Sequence, residues 1–222
     1  GYRAGKSLNA GDNNVIFGYN AACSLTTASN NIILGKSAAK TQVAGAYNFF
    51  GGYYAGHGSG SSLNATNNVA IGSQSLQAID SGQSNIAIGP NAAACRAAGA
   101  CNIFLGRYAG KGSTTTTSNT GNNNLAMGTC AGYSLTSGAE NIAIGFYAGK
   151  TISTASGNIH LGSRAGENNN ANNNFFGMYS AGRCNSSGKY NIYFGVAAGK
   201  CATTADSNIA IGQDTGMCNA GD

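Results

Sequence analysis

The chain has 222 residues, of which 42% are hydrophobic and 9% are charged, and its formal net charge is +5. A charged fraction this far below the usual value of about 25% would suit a disordered chain, but the apolar residues recur at fixed intervals, which excludes disorder. No apolar run approaches the roughly 18 to 20 residues that span a membrane, so we expect no membrane span. The mild charge does not indicate a nucleic-acid partner. Because the chain begins at Gly1 without a recognisable signal peptide, we interpret it as a processed product or an excerpt.

One unit repeats along the chain: Asn–apolar–x–apolar–Gly–x–x–Ala–Gly, as in the segment that starts at Asn85. We number each copy from its first glycine, the reference position, and most copies follow the previous one after 17 residues. A truncated copy starts at Gly1. The reference positions of the twelve complete copies are Gly18, Gly35, Gly52, Gly72, Gly89, Gly106, Gly128, Gly145, Gly162, Met178, Gly195 and Gly212.

The apolar–x–apolar pattern predicts a short β-strand in every repeat, because alternation with a period of two is typical of strands. The following glycine permits a turn with positive φ. Segments between glycines are too short for stable helices. The sequence therefore predicts an all-β fold, a parallel β-solenoid of about twelve 17-residue repeats, in a single domain over residues 1–222.

An asparagine stands four residues before every reference position. Stacked repeats would bring these side chains into register, so we predict an asparagine ladder in which each amide bonds to the repeats above and below. Its members are Asn14, Asn31, Asn48, Asn68, Asn85, Asn102, Asn124, Asn141, Asn158, Asn174, Asn191 and Asn208.

A second period of three overlies the repeats, because the spacing departs from 17 after every third copy. It divides the chain into superrepeats at about 14–67, 68–123, 124–173 and 174–222, after the truncated repeat 1–13. The middle residue of each strand would face solvent in a simple solenoid, yet it is often apolar. We therefore expect three repeats per layer around a pseudo-threefold axis, with a homotrimer as the alternative. Four layers would form a slab about 20 Å thick, whose open strand edges favour head-to-tail stacking.

The unit Asn–Ile–Ala–Ile–Gly–x–x–Ala–Gly resembles the head repeats of trimeric autotransporter adhesins and, more closely, repeats in tail-fibre-like proteins of phages and bacteria. The resemblance covers essentially the whole chain. It implies an elongated fibre on a cell surface or virion that serves in attachment, and it implies no particular receptor. The spacing of 17 residues is longer than is usual in adhesin heads.

The sequence predicts no enzymatic activity, no metal site and no cofactor. Its seven acidic residues do not recur at one repeat position, as the carboxylates of solenoid glycosidases or calcium-binding repeats would require. The two histidines are too few for a metal site, and we expect His160, at a strand position, to lie in the core.

Seven cysteines favour an oxidising compartment, and Cys95 and Cys101 are close enough in sequence to form a disulfide, although reduced, buried thiols are the alternative. Asn64 and Asn185 lie in glycosylation acceptor patterns. Basic residues recur five positions after the reference, as solubilising residues or as a site for an anionic glycan or lipid. They are Lys6, Lys40, Lys111, Lys150, Arg183 and Lys200.

Two functions of different kinds follow as hypotheses. The first is a structural subunit of an extracellular fibre or filament that stacks head to tail, with itself as partner. The alternative is an adhesin or phage-type receptor-binding fibre that recognises surface glycans. A polysaccharide depolymerase ranks far behind both. We expect the protein outside the cell, on a cell surface or in a virion fibre.

Overall fold

The solenoid is built from short strands, one in each complete repeat. The computed structural model describes residues 1–59, 64–95, 98–113 and 119–216, and these form twelve strands of three residues and no helix. The strands are β1 (Val15–Phe17), β2 (Ile32–Leu34), β3 (Phe49–Gly51), β4 (Val69–Ile71), β5 (Ile86–Ile88), β6 (Ile103–Leu105), β7 (Leu125–Met127), β8 (Ile142–Ile144), β9 (Ile159–Leu161), β10 (Phe175–Gly177), β11 (Ile192–Phe194) and β12 (Ile209–Ile211).

Each strand pairs in parallel with the strand of the next repeat, in the order β1 to β12 within a single sheet. Middle residues stand opposite middle residues, as Ile16 does to Ile33 and Ala87 to Phe104. The predicted all-β parallel solenoid is thereby confirmed, but the expectation of three repeats per layer is wrong, because one repeat makes one complete coil. At about 4.8 Å per coil, twelve strands extend over roughly 53 Å rather than forming a thin slab.

The buried and exposed faces of the strands are the reverse of those that the sequence suggested. The middle residue of each strand points into the coil, and Phe50, Phe104 and Phe176 are at most 1% exposed. The residues on either side of it point outward, and Ile88 and Ile103 keep 40% and 38% of their surface exposed. Because a period of two places neighbours on opposite faces, the apolar middle residues need no central axis to cover them.

The reference glycine is required by the stacking of coils. Gly18 has φ +141, and a Cβ atom added to it would lie 2.3 Å from the carbonyl oxygen of Gly35 in the next coil. The same close approach recurs along the glycine column, for example between Gly106 and Gly128. A Cβ atom on these glycines would therefore push two coils apart, and the exception in the column is Met178, whose φ of +86 differs from that of the glycines.

The twelve predicted ladder asparagines stand in one column just before the strands. In each step the Oδ1 atom accepts the backbone N–H of the next asparagine, at 2.9 to 3.1 Å. The side-chain Nδ2 group also reaches across the coil to a backbone carbonyl, as Asn102 does to Gly121 at 3.0 Å. These hydrogen bonds fix the register between coils. They also connect the start of each strand to a backbone carbonyl across the interior of its own coil or of the next one.

The period of three reflects the filling of the interior. A second column of inward-pointing residues lies seven residues after the reference position. In the coil whose middle strand residue is the small Ala126, this second position holds Leu135, which is buried. The longer repeat around Phe104 has Ser113 at this position instead, and the Phe104 ring is fully buried. A large ring on one side thus replaces a large aliphatic side chain on the other, which keeps the core filled.

Candidate interaction surfaces

The outward side of the sheet forms an extended apolar surface. We call the first and third residues of the twelve strands the outer strand face; 22 of these positions are apolar and the other two are Gly51 and Gly177. None is charged. If each apolar side chain exposes roughly a third of its area, the face presents on the order of 1,000 Å² of apolar surface, against about 300–600 Å² for the largest patch of a typical monomer.

The outer strand face is rigid as well as apolar. Backbone hydrogen bonds of 2.8 Å join the strands, as from Ile86 N to Asn102 O and from Ile103 N to Asn124 O. The side chains therefore form two rows with the spacing of the coils, about 4.8 Å. No helix among the described residues is long and apolar enough to cross a membrane.

A second surface lies on the turn that follows each strand. We call Tyr108, Lys111, Tyr133, Tyr147 and Lys150 the lysine–tyrosine strip; they belong to three consecutive coils. Lys111 Nζ donates to the Tyr133 hydroxyl at 3.1 Å and lies 5.4 Å from the centroid of the Tyr108 ring. Lys150 Nζ lies 4.7 Å from the centroid of the Tyr147 ring. The hydrogen bond with Tyr133 raises the pKa of Lys111, so its ammonium is charged at neutral pH.

The sequence pattern had indicated the lysines of this strip but not its tyrosines. The signal was present, because Tyr54, Tyr108 and Tyr147 all stand two residues after a reference glycine. Further along the same column, Glu167 accepts a hydrogen bond from Arg183 Nε at 2.9 Å and lies 3.8 Å from Arg164 Nη1. The Glu167 carboxylate thus offsets one of the two positive charges beside it, whereas Lys111 and Lys150 form no ion pair within the described part of the chain.

The two predicted glycosylation sites differ in accessibility. Asn64 is exposed, and its carbonyl accepts a hydrogen bond from the Thr66 hydroxyl at 3.0 Å. Asn185 is 0% exposed, in the inward column seven residues after Met178. A glycan on Asn185 would have no room inside the coil, so this site is excluded in the folded protein.

The cysteines with described positions all carry free thiols, which include Cys95 and Cys101. The predicted disulfide between these two residues is therefore not formed in the structure. Burial raises the pKa of the Cys95 thiol, and it does the same for Cys130. A raised pKa lowers the thiolate fraction at neutral pH and with it the reactivity of the thiol. Cys218 lies outside the described residues.

His160 lies in the core, as its strand position predicted, and is 0% exposed. Its ring stacks on Phe176 at a centroid distance of 5.2 Å, and Phe176 stacks on Tyr193 at the same distance. Burial lowers the pKa of His160 to about 3, so the ring is neutral near pH 7. Asn169 Nδ2 lies 3.1 Å from its Nε2 atom. Among the residues described, no three His, Cys, Asp or Glu side chains form a group that could hold a metal ion.

No protein-family model, no curated protein and no solved structure matches this chain.

Proposed function

We propose that this solenoid is a structural subunit of an extracellular fibre, in which copies associate laterally through the outer strand face and stack end to end. The observation that carries the proposal is that face, a rigid, uncharged apolar surface over twelve strands. Soluble monomers seldom expose a continuous apolar surface of this extent. The extracellular or virion setting rests on the resemblance of the repeat to those of surface fibres.

A second copy of the chain suits the outer strand face better than an unrelated partner does. The side-chain rows of another copy have the same spacing, about 4.8 Å, and the same length, so they can interdigitate from end to end. The area on the order of 1,000 Å² is comparable with the roughly 800 Å² that each partner buries in a stable complex. Because the face has no charged residue, a charged partner surface would lose its hydration without gaining an ion pair.

End-to-end growth is supported by the repetition of the coil. Each ladder asparagine accepts a hydrogen bond from the backbone N–H of the asparagine in the next coil. Asn191, for example, accepts one from Asn208, and the same bond recurs at every step of the ladder. Strands β1 and β12 each pair with one neighbour within the described part of the chain. The addition of a strand with the same register at such an edge extends the ladder without closing it, which is the geometry of a non-closing polymer.

The lateral part of the proposal is tested by placing charge on the outer strand face. Sedimentation of the wild-type chain should show concentration-dependent assembly, and the double variant Ile88→Lys/Met127→Lys should sediment as smaller species, because two buried ammonium groups would oppose the contact. The matched control is Ser137→Lys, at an exposed position on a different turn. Circular dichroism of all three proteins establishes that the coil is intact. A wild-type chain that stays monomeric at about 100 μM would overturn lateral association through this face.

A further inference from the structure

The lysine–tyrosine strip combines features that suit a ligand and that a purely solubilising surface does not need. Three half-buried tyrosine rings and two half-buried lysines lie on the outside of consecutive coils. The Lys111 ammonium lies 5.4 Å and 5.1 Å from the ring centroids of Tyr108 and Tyr133. Lysines held in this way lose less conformational freedom on binding than freely moving lysines would.

The backbone beneath the strip is fixed by the stacking of the coils. Gly112 N donates to Tyr133 O at 3.0 Å, and Ser134 N donates to Lys150 O at 3.0 Å. These bonds place Lys111, Tyr133 and Lys150 directly above one another in the order of the chain. The two lysines are thus two coils apart, or about 10 Å, with a tyrosine between them.

This spacing selects among polyanions. A strand of nucleic acid carries one phosphate per about 3.4 Å of helix axis, far denser than the two lysines at one per roughly 10 Å, even with the Arg107 guanidinium that lies 4.9 Å from the Tyr108 ring centroid. Two pyranose rings in an extended polysaccharide span a length close to the lysine separation, so a chain with one acidic group on every second sugar matches it. The apolar faces of sugar rings also pack on aromatic side chains, which the tyrosines supply.

We propose that the lysine–tyrosine strip binds an acidic polysaccharide that carries one anionic group on every second sugar. Lys111 and Lys150 pair with successive anionic groups, and Tyr108, Tyr133 and Tyr147 contact the sugar rings between them. The Lys111 ammonium has three donors, of which the Tyr133 hydroxyl takes one, so two remain for the ligand. The strip lies on the turns rather than on the outer strand face, so this binding does not depend on lateral association of the solenoids.

Calorimetry with a hyaluronan octasaccharide, which has a carboxylate on every second sugar, tests the proposal. The wild-type chain should bind it, and the double variant Lys111→Gln/Lys150→Gln should bind at least about tenfold more weakly. The matched control Lys189→Gln removes an exposed lysine elsewhere on the molecule and should leave the affinity within about twofold. Binding should also weaken as NaCl is raised, because salt screens the attraction between the lysines and the anionic groups at the protein surface.

Two comparison ligands distinguish the specific site from general attraction. A neutral chitin octasaccharide should bind at least about tenfold more weakly than hyaluronan, since it lacks the carboxylates. A single-stranded DNA oligonucleotide of similar length should also bind more weakly, because its charge spacing does not match. Equal loss of hyaluronan binding in the Lys189→Gln protein, tighter binding of DNA, or no binding by the wild-type chain would each overturn the proposal. Sedimentation of the same proteins reports separately on the fibre proposal.

Discussion

A Cβ atom added to Gly110 would lie 2.1 Å from Cδ1 of the Phe104 ring, so this glycine makes room for the ring inside its own coil. Gly132 occupies the same position in the next coil with nearly the same φ, +55 against +56, but its added Cβ would meet Ala126 Cβ at 3.4 Å. The two glycines therefore separate the effect of a clash from the effect of backbone strain.

The variants Gly110→Ala and Gly132→Ala should differ in stability for this reason. Both place alanine in the left-handed region, which costs about 1 kcal/mol, and Gly110→Ala additionally overpacks the core, at a further cost of about 1–3 kcal/mol. The measurement is the free energy of unfolding in urea. Equal losses in the two variants would show that Phe104 does not set the requirement for glycine.

The asparagine ladder should contribute strongly to stability at its centre. Asn102 accepts both the backbone and side-chain N–H groups of Asn124 and donates to Gly121 O. Asn102→Ala would leave the buried backbone N–H of Asn124 without its acceptor, while the Asn124 side chain keeps its bonds to Asn122 O and Gly138 O, so we expect a loss of about 1–3 kcal/mol in the free energy of unfolding. Asn168→Ala, at an exposed position, is the control and should change stability by less than about 0.5 kcal/mol. A small loss at Asn102 would mean that the ladder amides are dispensable.

Buried His160 should make the solenoid sensitive to acid. Its folded pKa of about 3 lies below the ordinary histidine value of 6.5, so the neutral ring stabilises the fold fully above about pH 6.5 and this contribution is lost as the pH falls toward 3. Phe176 and Asn169, which contact the ring, carry no charge that could stabilise the protonated form of His160.

The variant His160→Phe places at this position the residue that Phe104 and Phe176 provide in other coils. Between pH 6.5 and pH 4 the wild-type protein should lose up to about 1.4 kcal/mol more stability per pH unit than the variant does. Urea unfolding at a series of pH values measures the difference. Parallel curves for the two proteins would contradict a neutral, buried His160.

Asn185 is fully buried, and neither its Oδ1 nor its Nδ2 atom has a hydrogen-bond partner in the structure. Ala202 occupies the same inward column in the next coil, opposite the buried Tyr193 ring, as Asn185 lies opposite Phe176. We therefore expect Asn185→Ala to raise the free energy of unfolding by about 1 kcal/mol, because it removes two unsatisfied polar atoms. A rise in the thermal midpoint supports this, and a fall would show that the amide makes a bond that stabilises the coil.

The sequence was sufficient to predict the solenoid, the strand in each repeat and the core position of His160, because the same alternation of apolar residues before a turn recurs in each repeat. It did not predict how the repeats stack. The period of three pointed to three repeats in a layer, whereas it marks coils such as that of Phe104, in which a ring fills the space that Leu135 fills elsewhere. Such compensation joins residues nine positions apart across the coil, and a strand pattern alone does not reveal it.

The sequence also could not show which side of the strand is exposed. Alternation identifies two faces, but both faces of these strands are apolar, so the pattern gives no sign of which one lines the coil. The fold shows that Ile88 and its equivalents lie outside. The lysine–tyrosine strip was missed in part for a related reason, because Lys111 and Tyr133 are 22 residues apart and meet only through coil stacking.

Electron microscopy of the purified, non-denatured chain shows directly whether the solenoid forms fibres. We expect long fibres of laterally associated rods, in which each chain contributes about twelve coils, or an axial repeat of roughly 55–60 Å at 4.8 Å per coil. Single rods of one chain's length, separate from one another at every concentration, would contradict the fibre.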